Sequence, residues 1–442
     1  MDRRHALAGL SAALAAPAFA LAGEQGSAPE ERIAKGRFPT GFLWGAATAG
    51  HQVEGNNTAS DLWLLEHLTP TVFAEPSGDA DNSFELWRTD LDLVRAIGLN
   101  TYRFSLEWAR IEPEPGQFSR AMLDHYRAMI DGCRQRSLTP MVTFNHFTAP
   151  RWFSAQGGWT NPRAPDAFAR YCERAARHLA AGIGYATTLN EPNLPRILRG
   201  RLPPPLLETQ RAMLAAAARA CGTGRFVAAN SVNEEDIDAM LPIMIAGHKA
   251  GRAAIKAVRP ELPVGVSLAM FDDQAAGEGS QRDAQRAAMY GAWLEAVRDD
   301  DFLGVQNYER ARYDAGGRLP PPADAKLNAM GSEIYPPSLG NAVRYAHAAT
   351  GLPILVTEHG LGTGDDAQRA AFIPAALGGL KAAIDAGVPV KGYVHWTLLD
   401  NFEWIFGFRP KYGLVAVDRT TFRRTPKPSA AVLGAIARRN AL

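Results

Sequence analysis

The chain has 442 residues, with 46% apolar and 21% charged side chains and a formal net charge of +1. That balance is ordinary for a globular protein and supplies no basic surface to attract nucleic acid or an anionic membrane. Three cysteines with no CxxC pair argue against a disulfide framework, and ten histidines with no HExxH argue against a metal centre.

Residues 1–22 read as an export signal. Arg3 and Arg4 precede an Ala/Leu-rich run from Ala6 to Ala22, with small-residue cleavage signals at Ala18-Phe19-Ala20 or Ala20-Leu21-Ala22. The paired arginines before so mild an apolar core are twin-arginine-like, so a periplasmic location is expected. Residues 23–36 are polar and mixed and read as a linker. No other stretch is apolar enough to span a membrane.

From residue 37 to 442 short β-prone runs alternate with helical patterns. The first run is Phe42–Thr48. A helix over about Phe84–Ile97 follows, with Leu86, Trp87, Leu91, Val94 and Ile97 near the 3.6-residue period on one face. Further runs are Thr101–Leu106, Pro140–Phe144 and Thr187–Glu191, separated by helices near 120–136 and 166–181. A long connection follows, with Pro203-Pro204-Pro205, a helix near Leu214–Ala220 and another over Asp238–Val258. The fifth and sixth runs are Val264–Leu268 and Phe302–Gln306, with a helix near Asp283–Val297 between them. A proline-rich excursion and a helix near Leu339–Ala349 lead to Ile354–Glu358. The helix Ala367–Ala386 then leads to the eighth run, Val390–Trp396. Eight strands alternating with helices predict an α/β fold, a single (β/α)8 TIM barrel.

In such a barrel the active site forms where strands end. Glu191 ends the fourth run and Glu358 the seventh, which places them nearly opposite each other across the mouth. Paired carboxyls suit glycosidic hydrolysis, which needs one protonated acid and one ionised partner at the same pH. Arg103 and Tyr308 are candidates to keep Glu358 ionised, which leaves Glu191 as the acid. The last loop interleaves Trp396, Asp400, Asn401, Glu403 and Trp404, a mix of flat and hydrogen-bonding groups that suits a hydroxyl-rich ligand. Trp44 reads equally as core or as a sugar-stacking wall. A rival is a dinucleotide loop at Gly360-Leu361-Gly362-Thr363-Gly364, but its third glycine comes one residue too early for GxGxxG.

The motifs FLWGAATAGHQVEG (Phe42–Gly55), YRFSLEWARI (Tyr102–Ile111), TLNEP (Thr188–Pro192), VTEHG (Val356–Gly360) and WTLLDNFEWIFGFRPKYGLVAVD (Trp396–Asp418) occur in this order. Together they resemble glycoside hydrolase family 1, the retaining β-glucosidases and their relatives, over nearly all of residues 38–430. The resemblance implies Glu191 as acid/base and Glu358 as nucleophile of a double displacement. It implies Gln52, His146, Asn190, Glu403 and Trp404 as holders of the sugar hydroxyls and Trp396 as part of the floor. It also implies Arg103 and Tyr308 as support for the nucleophile, a small β-glycoside as substrate, and no cofactor or metal. The chain departs from the family at His359, where Asn is usual, and at Gln306-Asn307-Tyr308, where NYY is common. Phe147-Thr148 after His146 is a further departure, as is the connection after Pro192. A charged Glu403 is expected to repel a phosphorylated sugar. A transglycosidase or a non-catalytic glycoside-binding barrel are the alternatives; both glutamates are kept, which speaks for catalysis.

Overall fold

A computed structural model describes residues 36–442 of the chain. The expected signal at 1–22 and nearly all of the 23–36 linker lie outside the described residues.

Eight parallel strands close a barrel: β1 Leu43–Ala47, β2 Thr101–Ser105, β3 Thr139–Asn145, β4 Tyr185–Asn190, β5 Val264–Ala269, β6 Leu303–Gln306, β7 Ile354–His359 and β8 Val390–Trp396. Each strand neighbours the next in sequence, and β1 closes on β8 with Leu43 opposite Gly392 and Ala47 opposite Trp396. Helices follow each strand: α1 Ser83–Ile97, α2 Arg120–Gln135, α3 Ala164–Leu179, α4 Ile237–Val258, α5 over 282–296, α6 Ser338–Thr350, α7 Asp366–Asp385 and α8 Pro428–Arg439. The strands are almost wholly buried because each faces the barrel interior on one side and a helix on the other, and their interior polar groups pair with one another, as Arg103 does with Thr143 and Thr143 with Thr187.

Local signals set the helix ends. Ser119 caps α2 by accepting from the Met122 N–H at 3.3 Å, and Asp365 caps α7 by accepting from Ala367 at 2.9 Å. The first departure from expectation is the helix Pro204–Ala220, which begins inside the proline triplet. Proline lacks only an N–H that a first helical turn leaves free anyway, so Pro204 starts this helix instead of preventing it. The second is α5, which runs through a π-helical turn at Ala287–Gly291. The third is a small sheet outside the barrel, Asp272–Ala275, Arg310–Asp314 and Gly317–Leu319.

Trp44 belongs to the core. Its ring sits 4.7 Å from Phe38 and 4.8 Å from Phe42, and its indole N–H donates to Asn440 Oδ1 at 2.9 Å. It lies near the start of β1, far along the strand from the mouth, and serves to seal the barrel floor against the end of α8.

The two strands that carry the glutamates share an irregularity. Between Thr187 and Asn190, β4 advances three residues while β5 advances two, from Gly265 to Ser267. Between Val356 and Glu358, β7 advances two while β6 advances one, from Val305 to Gln306. A bulge of one residue re-aims the side chains that follow it. Both bulges fall just before a glutamate.

Candidate active site

Glu358, the fifth residue of β7, is buried and surrounded by donors. Arg103 Nη1 donates to Oε1 at 2.6 Å, Gln306 Nε2 donates to the same oxygen at 2.9 Å, and the Tyr308 hydroxyl donates to Oε2 at 2.7 Å. Arg103 lies mid-strand on β2, not at its end, and is itself fully buried. Its guanidinium is held by Thr143 Oγ1 at 3.1 Å and by Asn190 Oδ1, so the cation is fixed before any ligand arrives. Burial raises the Glu358 carboxyl above its ordinary value, and Arg103, Tyr308 and Gln306 oppose that rise.

Glu191 sits one residue beyond β4, half-buried, with a left-handed backbone at φ 44°. Its N–H donates to the Ser267 carbonyl at 2.8 Å and its carbonyl accepts from Leu194 at 2.9 Å. These bonds hold a conformation that side-chain-bearing residues seldom adopt, at a cost of roughly 1–3 kcal/mol. No side chain donates to its carboxyl among the described residues. Burial first, and the Glu358 charge second, push that carboxyl well above the ordinary range. The pair is therefore split, with Glu191 holding its proton longer than Glu358.

The remaining predicted residues gather beside this pair. Asn190 donates to His146 Nε2 at 3.2 Å, and the His146 ring lies nearly parallel to Trp396 and Trp404, at 5.6 and 5.9 Å. Burial holds His146 neutral, and the nearby Arg103 cation adds to that effect. Gln52 donates to the Phe402 carbonyl at 2.6 Å and reaches Glu403 at 3.4 Å. Among the described residues Gln52 Oε1 and His146 Nδ1 are buried with no partner, and such atoms suit a ligand with many hydroxyls. Trp404 and Phe147 share the left-handed backbone of Glu191, at φ 49° and 68°.

Three expectations need correction. Asp400 does not face a ligand: Lys427 donates to it at 2.7 and 2.8 Å and the Gly413 N–H at 2.9 Å, so it ties loops together. Asn401 is likewise buried, with Thr397 as its neighbour at 3.5 Å. Glu403 is not a ready anion: burial, then the Glu358 charge, push it up to about 8, with Gln52 and Trp396 opposing. Of the two departures nearest the nucleophile, His359 on β7 stacks on Phe372 at 5.1 Å and meets the Tyr393 hydroxyl at 3.1 Å. Gln306 keeps the amide function and binds Glu358 directly.

Sequence reasoning missed two parts of the site. Tyr412 sits 6.1 Å from Tyr308, edge to face, within the last of the matching motifs. His51, next to Gln52 in the first motif, lies beneath Trp404 with the rings 3° from parallel and 6.1 Å apart. His51 Nε2 meets Glu66 at 2.7 Å, and Glu107 accepts from the His51 N–H at 3.1 Å and from Thr148 at 2.7 Å. Thr148 thus serves this buried network. A histidine beside a motif glutamine was the available signal.

A closed (β/α)8 barrel with a split carboxyl pair at its mouth, one donor-clamped and one donor-free, defines a glycosidase of the two-carboxyl class. The family model described as Glycosyl hydrolase family 1 matches residues 34–254 and 306–442. The chain therefore belongs to glycosyl hydrolase family 1. It is 30% identical to a thermostable beta-glucosidase B of Thermobispora bispora, over 92% of this chain and 91% of that one. Among solved structures, beta-glycosidase BGL167 is 48% identical with a TM-score of 0.85, covering 92% of this chain and 98% of its own. A beta-glucosidase designated 1317, in its apo form, is 42% identical with a TM-score of 0.88, covering 91% and 99%.

Proposed function

We propose that this protein is a retaining β-glycosidase of β-glucosidase type, with Glu358 as nucleophile and Glu191 as acid/base. One observation carries the assignment: Arg103, Gln306 and Tyr308 all donate to Glu358, while no side chain among the described residues donates to Glu191. Donors stabilise the ionised form, so Glu358 is the carboxylate and Glu191 the carboxylic acid.

In the first step a Glu358 oxygen attacks the anomeric carbon. The bond from that carbon to the leaving oxygen breaks, and the Glu191 proton passes to that oxygen. The glycosyl ester on Glu358 carries no charge, so the field that raised Glu191 weakens and Glu191, now ionised, is a base. It takes a proton from water, whose oxygen attacks the anomeric carbon and frees Glu358. Two inversions give net retention. Gln52, His146, Asn190, Trp396, Glu403 and Trp404 hold the sugar. Burial and the Glu358 charge push the Glu403 carboxyl up to about 8, which favours a protonated form that can both donate to and accept from a hydroxyl. The exclusion of a phosphorylated sugar then rests on Glu358 and on the lack of any lysine or arginine among these six residues.

Replacing Glu358 by alanine is expected to abolish hydrolysis of an aryl β-glucoside. Azide, a small external nucleophile, is expected to restore part of the turnover by occupying the space of the lost carboxylate. Wild-type-like hydrolysis by Glu358→Ala would remove the nucleophile assignment.

A further inference from the structure

The rim around Glu191 carries charge that the reaction itself does not use. The sugar-holding residues come from the ends of β1, β3, β4 and β8. Glu191 follows Asn190 directly, on the β5 side of that set. An acid must reach the bridging oxygen, so the leaving group departs over the rim that Glu191 shares with the chain following β5 and β6.

Three segments of that rim meet at one ring. Arg201, ten residues past Glu191, lies over Phe271 at 5.4 Å, and Arg318 lies over the same ring at 5.1 Å. Phe271 follows the end of β5, where Asn193 binds both the N–H and the carbonyl of Ala269, at 3.1 and 2.8 Å. Arg318 belongs to the hairpin that leaves the mouth at Tyr308, the donor to Glu358. It reaches Glu309 at 3.3 Å, and Glu309 is near enough to Tyr412 to help raise that phenol, after burial and Glu403. From Tyr308 the chain thus passes directly to Glu309, which meets Arg318, and Arg318 shares the Phe271 ring with Arg201. Glu309 and Arg318 also line a cleft of about 460 Å³ together with Arg310, Arg312 and Glu333.

The charges here are only partly matched. Arg310, on the same hairpin, is fully engaged by Glu333, at 2.7 Å on each oxygen. Arg318 meets one carboxylate among the described residues, Glu309, at 3.3 Å. Arg201 has no carboxylate partner among the described residues; its side chain donates to the Met289 sulfur at 3.5 Å. Arg201 is half-buried, so water compensates its charge only in part. Phe271 holds both guanidinium groups through its ring face without neutralising either.

We propose that Arg201 and Arg318, spaced by Phe271, form a leaving-group subsite for anionic aglycones, so that this enzyme acts on β-glycosides whose leaving group carries a carboxylate. The proposal rests on the glycosidase reading above. A guanidinium without a carboxylate partner, fixed at the exit of the leaving group, favours an anion by charge-assisted hydrogen bonds that a neutral amide cannot match.

The test compares two aryl β-glucosides, 4-(2-carboxyethyl)phenyl and 4-(2-carbamoylethyl)phenyl. The ethylene spacer keeps the acidity of the two phenols alike, so their kcat/KM ratio reports recognition and not leaving-group chemistry. The wild-type enzyme at low salt is expected to favour the carboxylate by about tenfold. The ratio should fall as salt rises and approach one in the double variant Arg201→Gln with Arg318→Gln. Because each protein is its own control, partial loss of folded enzyme leaves the ratio intact. A wild-type ratio at or below one would overturn the proposal, as would a tenfold ratio that survives both substitutions. Hydrolysis of neither compound would overturn the glycosidase reading and this one with it.

Discussion

Glu358 and Glu191 are the same amino acid at the mouth of the same barrel, and their neighbours give them opposite roles. Glu358 meets three donors, one of them a cation. Glu191 meets a low dielectric and the charge of its partner, the two largest causes that raise its carboxyl, with Glu403 adding to them. The second of these can be removed without touching Glu191. In Glu358→Gln the like charge is gone while burial stays, so the Glu191 carboxyl should titrate lower than in the wild type and still above an ordinary glutamate. Carbon-13 NMR of the glutamate side-chain carboxyls across pH measures this directly. An unchanged Glu191 titration would mean that the two carboxyls do not feel each other, which the double displacement requires. Gln306 illustrates a second residue-scale point. One amide nitrogen serves both Glu358 and Asn190, at 2.9 and 2.7 Å, so the nucleophile and a sugar-holding residue are positioned by a single side chain.

At the scale of elements, the turn that follows the nucleophile is packed to its limit. A Cβ added to Gly360 would lie 2.0 Å from the Trp396 carbonyl oxygen, a backbone atom that cannot rotate away. Gly360→Ala must therefore separate the ends of β7 and β8, which carry Glu358 and Trp396. The expected stability loss is about 1–3 kcal/mol, read from the denaturant midpoint, and kcat/KM should fall far more than a loss of that size explains. Wild-type kcat/KM in Gly360→Ala would show that these strand ends tolerate displacement. The same elements show what could be read in advance. All eight barrel strands were legible as short β-prone runs alternating with helical patterns, although β2 and β4 carry Arg103, Thr187, Thr188 and Asn190 in the interior. The glutamates were legible because each follows such a run and precedes a chain reversal. The hairpin of Arg310–Asp314 and Gly317–Leu319 was not: a charge at every second position of its first strand is the pattern of a half-exposed edge and resembles a polar loop. Nor was the role of Asp400, because its partner Lys427 lies 27 residues away and only the fold brings them together.

The whole molecule carries an unusual load of buried titratable groups, and their sum sets how stability depends on pH. Burial pushes Glu54 up to about 7, with Arg110 opposing, and burial then Glu358 push Glu403 up to about 8. An unfolded glutamate ionises near its ordinary value of about 4.3, so from there upward the folded chain holds protons that the unfolded chain has lost. Stability from such a group is full below the unfolded value and is lost as pH rises through the folded one. His51 adds the same sign: burial opposes its charge, but Glu66, Glu107 and Asp61 together outweigh burial and raise it. Other histidines act in reverse. Burial lowers His125 to about 4 and His359 to about 3, so they contribute stability above about pH 6.5 that is lost as pH falls. The two groups oppose each other below about pH 6.5, and above it only the first still titrates. Urea unfolding should therefore show stability falling between about pH 6.5 and 8, by about 1.4 kcal/mol per pH unit for each proton released. In Glu403→Gln the part of this slope between about pH 7 and 8 should flatten, because the group that titrates there has been replaced by one that does not. A wild-type stability that rises over this window would mean that these carboxyls are ionised in the folded protein. Glu403 would then meet the sugar as an anion, and the neutral-acid role given to it in the site would fail.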